Sequence, residues 1–151
     1  MIIDTISDDL INMGLRQLGA SSIKTTRAHN NLVTFNLGPD ENVTYLYEVK
    51  ENGNIYLQRV APYLMMMGKM YSEQSLINMI REDITSFRNA YNSSNYDNFQ
   101  SIAKNLIKTC SEFENIFLES NIPDEDMYEI YNQVSKLREM VKETKERSGN
   151  L

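Results

Sequence analysis

The chain holds few side chains that could do chemistry. It has one histidine, His29, and one cysteine, Cys110. His29 lies in a polar connection just ahead of a strand signal, where it could serve as a general base or a pH-sensitive contact. No nucleophile or orienting carboxylate accompanies it in sequence, so it reads as an exposed loop histidine. No nucleophile-elbow pattern supports a Ser-His-Asp arrangement. Cys110 falls inside an apolar heptad stripe, where a thiol packs as a small hydrophobe and is inert. Zinc requires several histidine or cysteine ligands, and one of each, far apart, builds no site. The densest acidic spots are Asp8-Asp9, Glu82-Asp83 and Asp124-Glu125-Asp126. Helical neighbours point roughly 100° apart, so these read as solvated or capping carboxylates rather than a paired acid/base site. Oxygen ligation of calcium or magnesium stays open as an alternative. The six glycines form neither a phosphate-cradling loop nor a dinucleotide fingerprint. The sequence therefore assigns no catalytic residue, no metal ligand and no cofactor.

Two features invite a binding function. Tyr45, Tyr47 and Tyr56 sit on strand-like segments and could stack on bases. Yet the formal charge is −6 and the pI about 4.8, a field that repels phosphate backbones. The most basic stretch, Lys136–Arg147, is interleaved with Glu139, Glu143 and Glu146, as on a solvated helix face. Nucleic acid is not an expected partner. Nor is a membrane, because the longest fully apolar run, Tyr63–Met67, is far too short to span one. The second feature is the methionine-rich run from Tyr63 to Tyr71. Its apolar groups occupy successive positions, so no single helix or strand face can bury them all. Methionine repacks at low cost and suits adaptable binding surfaces. Tyr63, Met65, Met66, Met67, Met70 and Tyr71 are accordingly the candidate partner-binding residues, with a wholly buried core segment as the competing reading.

These residues must be positioned by a single domain, 1–151, of α+β class. The length, 41% hydrophobic content and 24% charge suit one globular unit with its own core. Ile6, Leu10, Met13 and Leu18 predict a helix from about Asp4 to Leu18, with Gly19 as its terminator and Gly14 weakening its interior. Alternation then predicts three antiparallel strands: Val33–Leu37, Val43–Lys50 and Ile55–Val60, separated by turns at 38–42 and around Asn52-Gly53. A three-residue loop, Glu51-Asn52-Gly53, pairs Val49 with Ile55 and Tyr47 with Leu57. It keeps one face more apolar than a two-residue loop does. Pro62 is expected to end the sheet. Ser72 caps a helix bearing Leu76, Ile80, Ile84, Phe87 and Tyr91, broken at 92–95. Phe99, Ala103, Leu106, Cys110, Phe113 and Phe117 form a heptad seam that runs to about Ser120. Met127, Ile130, Val134, Leu137 and Val141 repeat it after Pro123, whose first turn gathers Asp124, Glu125 and Asp126. Matching seams and a short connection predict a C-terminal antiparallel helix hairpin. The architecture expected is an N-terminal helix, a three-stranded meander and three helices.

A lone cysteine, and Met1-Ile2-Ile3-Asp4-Thr5 without a signal pattern, point to the cytoplasm. From about Asp4 to Leu64, the order of helix, three strands and proline-ended apolar segment resembles the first half of the secretion-chaperone fold. That resemblance implies binding of client segments along a sheet-and-helix surface, and dimers; the three helices that follow depart from it. The expected function is a non-enzymatic protein-interaction module, adaptor or chaperone-like, with a protein partner or a homodimer. An acidic inhibitor or immunity-type protein is one alternative. A small enzyme or ligand sensor with a pocket between sheet and helices is the other.

Overall fold

The computed structural model describes residues 5–148, and side chains from Asp9 onward. The leader reading at Met1–Asp4 and the predicted helix start at Asp4 lie outside the described residues. Helix α1 (Thr5–Gln17) precedes strands β1 (Ala28–Gly38), β2 (Glu41–Lys50), β3 (Ile55–Ala61) and β4 (Met65–Met70). Helices α2 (Glu73–Tyr91), α3 (Tyr96–Glu119) and α4 (Asp124–Arg147) complete the chain. The strands form one antiparallel sheet in the order β1-β2-β3-β4.

The β2–β3 hairpin takes the three-residue loop. Val49 pairs with Ile55 and Tyr47 with Leu57, and Gly53 adopts φ 79°, a left-handed backbone that favours glycine. This register puts Val43, Tyr45, Tyr47 and Val49 on the face that also carries Ile55 and Leu57, and α2 lies against that face. Ser72 opens α2 through a capping box, its side chain accepting from the Ser75 N–H while Ser75 Oγ accepts from the Ser72 N–H. Leu76, Ile84 and Phe87 of α2 and Tyr96 of α3 close the core over Tyr45, Leu57 and Met70. Each such buried side chain contributes about 1.5–3 kcal/mol relative to exposure.

The sheet has a fourth strand where three were expected. The chain turns after Pro62 and β4 pairs with β3, Ile55 opposite Met70 and Gln58 opposite Met66. Its alternation is disguised by a bulge: Met67 lacks a partner, and Gly68 opposite Leu57 takes φ 94°. The extra residue shifts the inward phase, so Met67 packs against the core and Met70 lies within it.

Outside this unit the helices are sparsely covered. No extended contact ties α1 to any other described element, and Leu10, Ile11, Met13 and Leu15 are exposed. The first turns of α3 are anchored. Tyr96 Oη donates to Glu41 Oε1 at 3.0 Å, Gln100 Nε2 donates to the same oxygen, and Phe99 meets the rings of Tyr63 and Phe87. Beyond Gln100, α3 contains no buried residue, and α4 contains none at all. Leu106 of α3 shares an open groove with Leu137 and Val141 of α4, so the helices run alongside in opposite directions across the 120–123 connection. Their backbones make no extended close approach.

Candidate functional site

The methionine-rich segment is split between core and surface. Met70 is buried and Tyr63 half-buried, its ring against Phe87, Phe99 and the Arg59 guanidinium. Met67 is partly buried against the core, whereas Met65 is exposed and Met66 lies on the uncovered face of the sheet at 71% exposure. Tyr71 is 92% exposed, and its N–H donates to Ser75 Oγ at the start of α2. Of the six candidates, only Met65, Met66 and Tyr71 offer open surface, and they do not converge on one site.

The most concentrated polar chemistry lies in the core, where no candidate was placed. Arg59 on β3 is 4% exposed, and its Nη1 donates to both oxygens of Asp83 on α2 at 2.8 Å. Tyr45 Oη donates to Asp83 Oδ2 at 2.7 Å. Phe87 and Tyr63 flank the guanidinium, with centroids at 4.6 and 4.7 Å. Burial, reinforced by the bond to Asp83, pushes the Tyr45 phenol well above its ordinary range. Burial also raises Tyr63, and it pushes Tyr96 up to about 12. Of these phenols Tyr45 and Tyr96 donate, to Asp83 and Glu41; the Arg59–Asp83–Tyr45 cluster joins helix to sheet and exposes no nucleophile. Asp83 is thus an ion-pair partner, correcting its reading as a solvated carboxylate. Sequence held the clue: Arg59 continues the inward parity of Ile55 and Leu57, and Asp83 falls on the apolar stripe of Ile80, Ile84 and Phe87.

Other expectations resolve individually. His29 is exposed as expected, but it stands on β1 opposite Val49, not in a loop. Tyr45 and Tyr47 face α2, while Tyr56 packs under Lys50 Nζ on the other side of the sheet at 4.7 Å, so the three share no stacking face. Cys110 is exposed, contrary to its reading as a core thiol, because α4 does not close over the α3 seam. Asp9 and Asp124–Asp126 are exposed, and among the described residues no group of three or more His, Cys, Asp or Glu could hold a metal ion. Among the same residues no helix is long and apolar enough to cross a membrane.

Two surfaces stand out. Val33, Phe35 and Tyr47 of the sheet and Leu76, Ile80 and Ile84 of α2 line an apolar groove, with the exposed Arg81 and Arg88 beside it. The larger surface is the α3–α4 pair. Phe99, Leu106, Phe117, Ile130, Val134, Leu137 and Val141 all lie on the two seams and all are exposed. Charge is distributed unevenly along this pair. Between Lys108 and Lys136 the chain has seven carboxylates, Glu112 through Glu129, and no lysine or arginine. Sequence reasoning identified both seams and missed that they are uncovered, since spacing alone does not say whether two stripes meet. No protein-family model, curated protein or solved structure matches the chain.

Proposed function

We propose that the protein is a non-enzymatic protein-interaction module, adaptor or chaperone-like, that binds through the seams of α3 and α4. The observation that carries this reading is the exposure of heptad-spaced apolar side chains along two 24-residue helices. Each helix is about 36 Å long at 1.5 Å per residue, so stripes about 10 Å wide expose roughly 700 Å² together. Monomers rarely leave contiguous apolar patches beyond about 300–600 Å² without a partner. The sequence chose these residues for a buried seam, and the fold of the single chain leaves that seam open. The lone cysteine fits a reducing location such as the cytoplasm.

The test pairs the unaltered chain with a Leu137→Asp/Val141→Asp variant. Sedimentation and affinity capture should show a complex, with itself or another protein, that the variant loses while keeping its circular dichroism. A strict monomer that captures nothing at native concentration contradicts the reading. The run of seven carboxylates with no lysine or arginine between Lys108 and Lys136, of which only Glu112 is ion-paired among the described residues (with Lys108, 3.5 Å), supports a second reading, an acidic inhibitor of a basic protein. In that case charge reversal at Asp124 and Asp126 would abolish capture, and the double aspartate variant at Leu137 and Val141 would not.

A further inference from the structure

We propose that the α3–α4 hairpin is a dimerisation element that pairs with the hairpin of a second copy in antiparallel fashion, tip against base, to close a four-helix layer. The proposal rests on the interaction reading above and names its partner. Three observations lead to it.

The charge changeover falls at the middle of each helix. In α3 (96–119) the last basic residue is Lys108, and in α4 (124–147) the first is Lys136. The tip half of the hairpin carries seven carboxylates and no base. The base half carries seven lysines and arginines, Lys104, Lys108 and five on α4, against four acids. A two-fold axis through the hairpin's midpoint therefore lays each acidic tip on a basic base. Parallel pairing would stack acid on acid.

Helix electrostatics account for the charges of α4 but not for those at the end of α3. Asp124, Glu125 and Asp126 suit the positive start of α4, and Lys145 and Arg147 its end. Glu112 pairs with Lys108 one turn back, but the end of α3 departs from the same rule: Glu119 stands in its last turn, which has no base, and Glu114 lies just before it. These acids also adjoin the acidic start of α4, so the isolated tip repels itself. A basic surface brought from outside relieves both penalties.

The apolar component is self-complementary in the same sense. The exposed seam positions extend along the hairpin, from Phe99 near its base to Phe117 near its tip on α3, and from Ile130 to Val141 on α4. Sliding one hairpin past another by half its length is unnecessary; the tip-to-base pairing overlaps both seams completely. The buried face, roughly 700 Å² per partner, approaches the about 800 Å² per partner of a standard stable interface. Identical patches related by a two-fold axis are also the commonest way that soluble chains assemble.

The experiment uses the full chain, as an equal mixture of isotopically heavy and light protein, treated with a carbodiimide that joins a lysine directly to a carboxylate. Lys145 and Asp124 lie at opposite ends of α4, about 31 Å apart, beyond a zero-length link within one hairpin. The expected result is a dimer in sedimentation and heavy–light links between base lysines (Lys104, Lys142 or Lys145) and tip carboxylates (Glu119, Asp124 or Asp126). Leu137→Asp/Val141→Asp should weaken the dimer by about 100-fold or more, while Leu32→Asp, exposed on the sheet, should leave it unchanged. A dimer whose heavy–light links lack base-to-tip pairs overturns the antiparallel geometry. A monomer at all concentrations overturns the proposal; seam-dependent capture of a different protein would then leave the interaction reading standing, and no capture would end both.

Discussion

Replacing Asp83 by alanine isolates Arg59, the buried charge of the core among the described residues. Arg59 is 4% exposed, its Nη1 has only the Asp83 carboxylate, and its Nε has no hydrogen-bond partner among the described residues. Without that carboxylate the guanidinium stays buried between Tyr63 and Phe87, and Tyr45 Oη loses its acceptor. Stranding one partner of a buried pair typically costs about 3–5 kcal/mol. The Asp83 side chain is 19% exposed, so water can reach the vacated position, and we expect the lower end of that range, about 3 kcal/mol. Against a domain stability of about 5–15 kcal/mol, that is a large loss. Urea denaturation followed by circular dichroism measures it as a lowered midpoint at unchanged slope. Arg59→Met/Asp83→Leu removes both charges, and we expect it to be more stable than Asp83→Ala alone. If Asp83→Ala costs under about 1 kcal/mol, or the double variant is no better, the ion pair is not the core's polar anchor.

Three further outcomes follow from local geometry. A Cβ at Gly38 would overlap the Tyr91 phenol, so Gly38→Ala should cost about 1–3 kcal/mol in the same urea assay; Gly38→Ala/Tyr91→Leu should recover part of it. Tyr96 is protonated in the fold up to about 12 against an ordinary 10.0, chiefly through burial. Its contribution to stability is whole below pH 10 and disappears as pH rises towards 12; a Tyr96→Phe variant, followed by thermal unfolding across that window, should show a shallower decline. Cys110 should react readily with a bulky thiol reagent in dilute protein and more slowly as concentration rises, because its helix face closes on association.

How far the fold could be read depended on whether a signal was local. The β2–β3 register followed from Glu51-Asn52-Gly53 and two apolar faces, and Gly53 holds the left-handed backbone that register requires. Ser72 marked the start of α2, and residues 92–95 its end. The fourth strand escaped because the bulge at Met67 and Gly68 breaks the two-residue period, making a strand look like an undifferentiated apolar run. The candidate site was legible in part. Heptad spacing reveals both seams, yet it carries no information on what covers them, so Cys110 reads as a core position from its spacing and is exposed in the fold. Arg59 and Asp83 are 24 residues apart, so their pairing depends on the packing of α2 on the sheet.

Sedimentation equilibrium of the unaltered chain at two ionic strengths tests the central claim most directly. At low salt, where the Debye length is about 30 Å at 0.01 M, acidic tips and basic bases attract across the whole interface; at 1 M it is about 3 Å and only the apolar seams hold. We predict a dimer at low salt whose dissociation constant rises with salt. A chain that stays monomeric at low salt, or a dimer that tightens as salt is added, would contradict the account.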